Sequence, residues 1–481
     1  MRPLEVVLLL ADLFAYVSVL LPKPRAPRWL RYPAFAALPI AGAQAVIEGP
    51  RWQMIPAYLF GALIFLAGIV RSRRWASTPG KNRPLVTYLG AGLGALGLAL
   101  SATLAAVLPV FRFPRPHGPY GIGTMTYHWV DSSRPEIFTD DPDDVRELMV
   151  QVWYPAEVDP SAPRAPYVED GRILESTLRL INLPGFILTH LKYVTTNAVP
   201  GAPVAGAQTS YPLLIFSHGR GGFRQHNTLQ VEELVSHGYI VATIDHPYAA
   251  SAVRFPDERL ATFDGRMFDP EHPGHARFLD GVIPFLAQDA IFTLNRLAAL
   301  NEADPNGLLT GRLDMQRAGI FGSSLGGIVS AEACLLEPRL QACLVQDVFM
   351  PADVVEAGLQ QPTLWFSRDR GTMQLEGWTQ EDIDETESTI RTTFENSHAD
   401  RYLVLVPGMF HNEFSDAALL AWPPLARKLG LIGTIDSRRA QQITIDFSLA
   451  FFDQHLKGIP SALLDNPTEQ YPEVLFEVRR P

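Results

Sequence analysis

The chain has 481 residues, 47% of them hydrophobic and only 19% charged, with a net charge of −11 and two cysteines. It is too long for one small domain of roughly 150 residues. Two cysteines, Cys334 and Cys343, exclude a disulfide scaffold and a cysteine-based zinc cluster, and the acidity argues against a nucleic-acid binder.

The averages conceal a division. Residues 1–111 carry 11 Lys/Arg against 3 Asp/Glu, a net of +8, and the remaining 370 residues carry a net of −19. The positive part holds four apolar stretches, at about 4–22, 32–48, 53–70 and 85–111. The third and fourth lack charge in their apolar runs and approach or exceed the length of about 20 residues that a spanning helix needs. The second is shorter and contains Pro39, and the first contains Glu5 and Asp12. An ionised Asp12 near mid-bilayer costs about 2.5 kcal/mol or more, so it must be protonated, paired or turned toward other helices. A signal peptide is the alternative for the first stretch. Its basic start is weak, however, no A-x-A site follows, and Pro22-Lys23-Pro24 ends it.

Lys23, Arg25, Arg28 and Arg31 lie between stretches one and two, and Arg71, Arg73, Arg74, Lys81 and Arg83 between three and four. Both clusters fall on one side if all four stretches span. The positive-inside rule then places those loops in the cytoplasm and the acidic part outside, in a multi-pass cell-membrane protein. The expected organisation is a transmembrane helical module at 1–111, a proline-rich linker at 112–118 and a globular domain at 119–481.

The globular part alternates strand-like and helix-like segments. Leu148–Tyr154 alternates as a strand, and Pro212–Phe216 is a buried strand ending at Ser217-His218-Gly219. A helix over 228–237 leads to strand Tyr239–Ile244. A helix over 283–300 leads to strand Ala318–Phe321, then Gly322-Ser323-Ser324-Leu325-Gly326-Gly327 and a helix to about 336. Further strands are expected at 342–346, 363–367 and 402–406, and a last helix at about 438–456. Such alternation indicates an α/β fold with a parallel sheet covered by helices, whose sites lie beyond the strands' C-terminal ends.

Gly322–Gly326 matches G-x-S-x-G between a strand and a helix. The sharp turn needs glycines where a Cβ would collide, and it lifts the Ser324 hydroxyl clear of the sheet at a helix N-terminus. Ser323 points the other way and reads as structural. A serine hydroxyl needs a base to take its proton. His398, His411 and His455 follow Ser324. His411 comes after strand 402–406 and is at the correct sheet edge, whereas His398 precedes that strand and His455 lies in the last helix. Two aspartates compete to orient His411. Asp347 ends strand 342–346 and Asp369 follows strand 363–367, and sheet geometry alone leaves both open. The oxyanion hole needs two backbone N–H groups. The residue after the nucleophile, Leu325, supplies one, and Arg220 in Ser217–Gly222 supplies the other. His218 reads as a residue that fixes this loop. His272 and His275 are too few to make a metal site, so no metal and no organic cofactor is expected.

The segments Gly118–Thr124 (GPYGIGT), Arg146–Ala156 (RELMVQVWYPA), Tyr211–Arg224 (YPLLIFSHGRGGFR), Ser236–His246 (SHGYIVATIDH), Gly322–Gly327 (GSSLGG), Gln346–Pro351 (QDVFMP) and Val406–Asp416 (VPGMFHNEFSD) stand in one order. Over about 118–456 the chain resembles the platelet-activating-factor acetylhydrolase family of α/β-hydrolases, including its bacterial members. The membrane module lies outside the resemblance. The resemblance implies an α/β-hydrolase fold, Asp347 as the acid, and Arg220 and Leu325 as the oxyanion donors. It departs at Ser323, where the family has His, and after His246, where Pro-Tyr-Ala replaces a run rich in Arg and Asp/Glu.

The implied reaction is ester hydrolysis through an acyl-enzyme on Ser324. A lipid ester, such as a phospholipid with a short or oxidised sn-2 acyl chain, is the expected substrate. A general carboxylesterase or dienelactone-type hydrolase is the rival enzyme, and a degenerate binding domain the rival without activity. The stretch 172–192 is expected to be helical and apolar on one side, either packed or flanking the pocket mouth. Cys334 and Cys343 are expected as two buried thiols.

Overall fold

The computed structural model describes residues 1–20, 32–73, 84–268 and 281–481. The chain divides into two compact units, Met1–Phe111 with Leu420–Leu425, and Arg112–Leu419 with Ala426–Pro481.

In the first unit the four apolar stretches form α1 (Pro3–Leu20), α2 (Pro33–Ile47), α3 (Ile55–Arg73) and α4 (Pro84–Val107). Among the described residues two helical spans, Trp52–Val70 and Gly90–Val107, are long and apolar enough to cross a membrane. At 15 residues, α2 is shorter than a straight crossing requires. The charges in α1 find different settings. Glu5 is fully buried and accepts from Arg51 Nε and Nη2, both at 2.6 Å. Asp12 is turned inward against α3, where a Cβ on Gly61 would lie 3.1 Å from its Oδ1. Of the basic residues expected between the stretches, Arg71 and Arg73 fall at the end of α3, and Lys23, Arg25, Arg28, Arg31, Arg74, Lys81 and Arg83 lie outside the described residues.

The second unit is built on a ten-stranded sheet. Its strands are β1 (Gly121–Pro135), β2 (Val145–Ala156), β3 (Val199–Pro200), β4 (Tyr211–Ser217), β5 (Ile240–Asp245), β8 (Leu313–Ser323), β9 (Leu340–Gln346), β10 (Thr363–Ser367), β11 (Arg401–Leu405) and β12 (Leu475–Arg479). β6 (Ala252–Arg254) and β7 (Leu260–Thr262) form a separate hairpin. The order is β12-β11-β10-β9-β8-β4-β5-β2-β1-β3. The six strands from β5 to β11 are parallel, and β1, β2 and β12 close the flanks antiparallel.

Alternation along the parallel strands explains both covered faces. Leu213, Ile215, Cys343 and Val345 pack with Ala287, Leu294 and Ile328, which lie on α7 (Val282–Glu302) and α8 (Leu325–Leu336). Their neighbours Leu214, Phe216, Ala342 and Leu344 pack on the other face with Val231, Leu234, Ile443 and Phe447. Those helix residues lie on α6 (Thr228–Ser236) and α13 (Ser437–Lys457). A strand buried on both sides reads as an unbroken apolar run, which is the pattern seen in the sequence.

Three features depart from the sequence reading. The stretch 172–192 is not one helix. α5 (Gly171–Leu180) stops before Asn182, which has φ 56°, and a 3-10 segment resumes at Gly185. Pro184 lacks an N–H and crowds the preceding turn, so the helix cannot run through it. The segment 112–118 lies along the second unit, with Phe113 buried against Tyr167 and Gly118 N–H on Ser236 Oγ at 3.1 Å. The region between β9 and β11 carries α9 (Ala352–Ala357), α10 (Arg370–Glu376) and α11 (Gln380–Asn396), and α12 (Pro423–Lys428) follows β11.

Candidate active site

Strand register gathers the site. Ser217 pairs with Gly322, Ser323 with Gln346, Gln346 with Phe366, and Ser367 with Leu405. Five parallel strands therefore end nearly level, and Ser324, Asp347 and Arg368 are the residues that follow three of them. His411 lies beyond β11 on the same edge.

The turn at Ser324 is strained and tightly packed. Ser324 has φ 57°, and its N–H bonds Gln346 O at 2.8 Å. A non-glycine residue held in that region needs surroundings that over-determine it. The two motif glycines provide the room. A Cβ on Gly322 would lie 2.1 Å from Gly326 O, and one on Gly326 would lie 1.9 Å from Ser217 O. Gly219 brings its loop equally close, since a Cβ there would sit 3.1 Å from Ser324 Cβ. Leu325 opens α8, and its N–H is one the helix itself does not use.

His411 begins a short 3-10 turn, and its Nδ1–H donates to Asp347 Oδ2 at 2.6 Å. Asp347 is fully buried and also has a positive φ, 55°. Burial pushes its carboxyl up, but the Arg368 guanidinium and His411 outweigh that and hold it below the ordinary carboxylate value. Asp369 is placed differently. It caps α10, with Oδ1 accepting from Thr372 N–H at 3.1 Å. Of the other histidines, His455 sits on α13 against the Tyr402 hydroxyl at 3.1 Å, and His398 lies before β11.

Ser324, Leu325, Asp347, His411 and Arg220 line one cavity of about 890 Å³. Its apolar wall includes Val282, Ile283, Ile328, Val348 and Phe349, and its polar side includes Thr379, Asp382 and Glu385. That size suits an organic ligand with an apolar portion. Among the described residues no group of three His, Cys, Asp or Glu side chains is gathered as a metal site requires. His272 and His275 lie outside the described residues. Cys334 and Cys343 are both free and buried.

The loop after β4 is held from below by buried polar groups. Ser217 Oγ meets His246 Nε2 at 2.8 Å, and His246 Nδ1–H donates to Asp289 Oδ2 at 2.8 Å. Asp289 also takes Arg146 Nη2 at 2.7 Å and Arg134 Nη2 at 2.8 Å. His218 accepts His246 N–H on Nε2 at 3.1 Å and donates from Nδ1 to Gly219 O at 2.8 Å. Burial, then the neighbouring His246, push the His218 imidazole down to about 3, so it stays neutral and fixes the loop. His226 is also buried. Burial first, then His411, push it down to about 4, so it adds no positive charge beside His411 at neutral pH.

Sequence reasoning missed Arg368, Glu376 and Trp378. Arg368 Nε donates to Asp347 Oδ1 at 2.9 Å, and Glu376 Oε1 accepts His411 N–H at 3.0 Å. Trp378 lies beside the His411 ring, centroids 5.6 Å apart. One signal was available, because Arg368 immediately follows the strand at 363–367. Glu376 and Trp378 reach the site through the packing of α10, which leaves no local pattern.

Comparison with known proteins agrees with this architecture. The family model described as platelet-activating factor acetylhydrolase, isoform II, matches residues 106–262 and 301–461. The chain is similar to a platelet-activating factor acetylhydrolase of Cavia porcellus, at 24% identity over 370 residues covering 71% of this chain and 78% of the relative. It is similar to a probable 1-alkyl-2-acetylglycerophosphocholine esterase of Arthroderma benhamiae, at 25% identity over 409 residues covering 79% and 97%. Among solved structures it is similar to a ferulic acid esterase from Streptomyces cinnamoneus, with TM-score 0.62 and 30% identity, covering 76% of this chain and 99% of that one. An α/β fold with a mostly parallel sheet, a serine turn at the strand ends and a family match over most of its length lead to one conclusion: the chain belongs to the platelet-activating factor acetylhydrolase, isoform II, family and is a carboxylic ester hydrolase.

Proposed function

We propose that the chain releases a short or oxidised sn-2 acyl group from a phospholipid through an acyl-enzyme on Ser324. His411 takes the Ser324 proton as the hydroxyl attacks the ester carbonyl, and Asp347 orients and stabilises the imidazolium that forms. The backbone N–H groups of Arg220 and Leu325 receive the oxyanion. His411 then protonates the leaving alcohol, and water cleaves the acyl-enzyme with His411 as base. The observation that carries this reading is the bond between His411 Nδ1 and Asp347 Oδ2 in the same cavity as Ser324.

Two observations support a lipid substrate. The cavity has an apolar wall, and Leu180, Ile181, Leu183 and Phe186 are exposed together where α5 ends. Leu180 stands by the loop that carries Arg220, since a Cβ on Gly221 would meet its Cδ1 at 2.6 Å. Four membrane spans with the hydrolase outside the cytoplasm is the reading we take from the basic residues between the apolar stretches, and the two apolar spans support membrane association alone. The similarity to a ferulic acid esterase favours a second reading, a carboxylesterase of non-lipid esters.

A panel of glycerophospholipids with sn-2 chains of increasing length, run beside p-nitrophenyl acetate on wild type and Ser324→Ala, separates them. The lipid reading expects 2-acetyl and short-chain lipids to be cleaved fastest. Hydrolysis of p-nitrophenyl acetate with none of the phospholipids would select the second reading. A protease site inserted after the exposed Pro160 should be cut in intact cells, and protection there would contradict the outward placement.

A further inference from the structure

Arg368 and Glu376 close a ring of contacts around the two residues that hold the proton relay. Arg368 is 1% exposed, and its Nε donates to Asp347 Oδ1 at 2.9 Å. Its Nη1 pairs with Glu376 Oε2. Glu376 Oε1 accepts the His411 backbone N–H at 3.0 Å, and His411 Nδ1–H returns to Asp347 Oδ2 at 2.6 Å. The Trp378 ring covers the guanidinium, with Arg368 Cζ 4.4 Å from its centroid.

The ring answers a geometric need. The terminal torsion of a carboxylate is soft, so one bond from His411 does not fix the plane of the Asp347 carboxyl. A second bond to the other oxygen does. His411 likewise sits at the start of a 3-10 turn, where its N–H has no partner within the turn. Glu376 supplies that partner, and the same guanidinium holds Glu376 and Asp347.

We propose that Arg368 and Glu376 are a positioning pair that fixes the angle between Asp347 and His411, a role that rests on reading Ser324, Asp347 and His411 as the reacting set. Neither residue lines the cavity, and the pair acts through the acid and the backbone of the base. It also sets the local charge. Two carboxylates, Asp347 and Glu376, share one guanidinium beside His411. The other ionisable groups facing His411 are the buried His226 and, around the cavity, Asp382, Glu385 and Arg220. Removing the guanidinium leaves two carboxylates uncompensated, and both then favour proton uptake at the relay. The acid limb of the pH profile should therefore move to higher pH.

The test compares wild type, Arg368→Met, Arg368→Lys and Ser324→Ala on p-nitrophenyl acetate and a 2-acetyl glycerophospholipid, with thermal unfolding as the check on folding. Arg368→Met should lower kcat roughly 100-fold with KM changed less than about 3-fold, as misplacing a reacting group by about 1 Å does. Its acid limb should rise by roughly half to one pH unit. Arg368→Lys keeps the charge but cannot bridge both carboxylates as the fork does. It should recover part of kcat and leave the acid limb near that of wild type. A folded Arg368→Met with wild-type kcat and an unmoved acid limb would overturn the proposal. If the Met variant does not fold, wild-type kcat in Arg368→Lys overturns it equally. Full activity in Ser324→Ala would instead remove the reading of the reacting set and is distinguished by that variant alone.

Discussion

His411 Nδ1 and Asp347 Oδ2 stand 2.6 Å apart across 64 residues of chain. The parallel sheet produces this meeting. β9 ends at Gln346, β11 ends two strands away, and the loops beyond both project from one edge.

The two aspartates predict opposite mutant behaviour. Asp347→Asn keeps the shape of the side chain but presents the wrong partner to Nδ1, and ester hydrolysis should fall roughly 10³- to 10⁴-fold. Asp369→Ala removes the α10 cap, which costs about 1 kcal/mol of stability, and should leave hydrolysis within a few-fold of wild type. Steady-state kinetics and urea unfolding of both variants measure the contrast. A larger activity loss in Asp369→Ala would reassign the acid.

The glycine after the serine is fixed by backbone atoms. A Cβ at position 326 would lie 1.9 Å from Ser217 O and 2.8 Å from His218 O, and neither atom can swing aside. Gly326→Ala should therefore move the serine turn or the loop after β4, lowering kcat by about 100-fold and stability by about 1–3 kcal/mol. At Gly206 the nearest atom to a Cβ is Glu157 Oε1 at 3.6 Å, so Gly206→Ala should change neither quantity by much.

Glu232 makes stability pH-dependent. It is buried on α6, where Oε1 and Oε2 accept from Asn197 N–H at 2.5 Å and Nδ2 at 2.7 Å. Burial pushes its carboxyl up from 4.5 to about 7. An acid whose folded value is raised contributes stability that is complete below its unfolded value and is lost as pH rises through the folded one. Relative to Glu232→Gln, the wild type should therefore lose up to about 3 kcal/mol between pH 4.5 and pH 8. Urea unfolding across that range checks this, and parallel stability curves for the two proteins would contradict it.

The parts of the molecule legible in sequence were those with a local signature. The strands at β4, β5 and β8 to β11 are apolar runs because helices cover both faces, and β10 lies at 363–367 as expected. Gly322–Gly326 marks its turn because its glycines answer specific collisions. β1 and β12 carry no such signature. β1 mixes Thr, His, Asp and Ser with its apolar residues and is specified by antiparallel pairing with β2 over Gly121–Asp131. β12 pairs with β11 from 70 or more residues away, after the last long helix. Asp347 and Asp369 could not be separated on sheet geometry, since both follow strand ends. What distinguishes them in the structure is the direction of the side chain, which Arg368 and His411 define at one site and the α10 cap at the other. The break at Asn182 was signalled by Pro184 but masked by the apolar periodicity around it.

The most direct test of the account is the site of covalent modification. The chain, kept in detergent, is treated with a fluorophosphonate, which phosphonylates an activated serine hydroxyl, and is then digested and mapped by mass spectrometry. One stoichiometric adduct on Ser324 is expected, with concurrent loss of ester hydrolysis, and no adduct on Ser323 or Ser217. An adduct elsewhere that abolishes activity, or full activity with Ser324 modified, would contradict it.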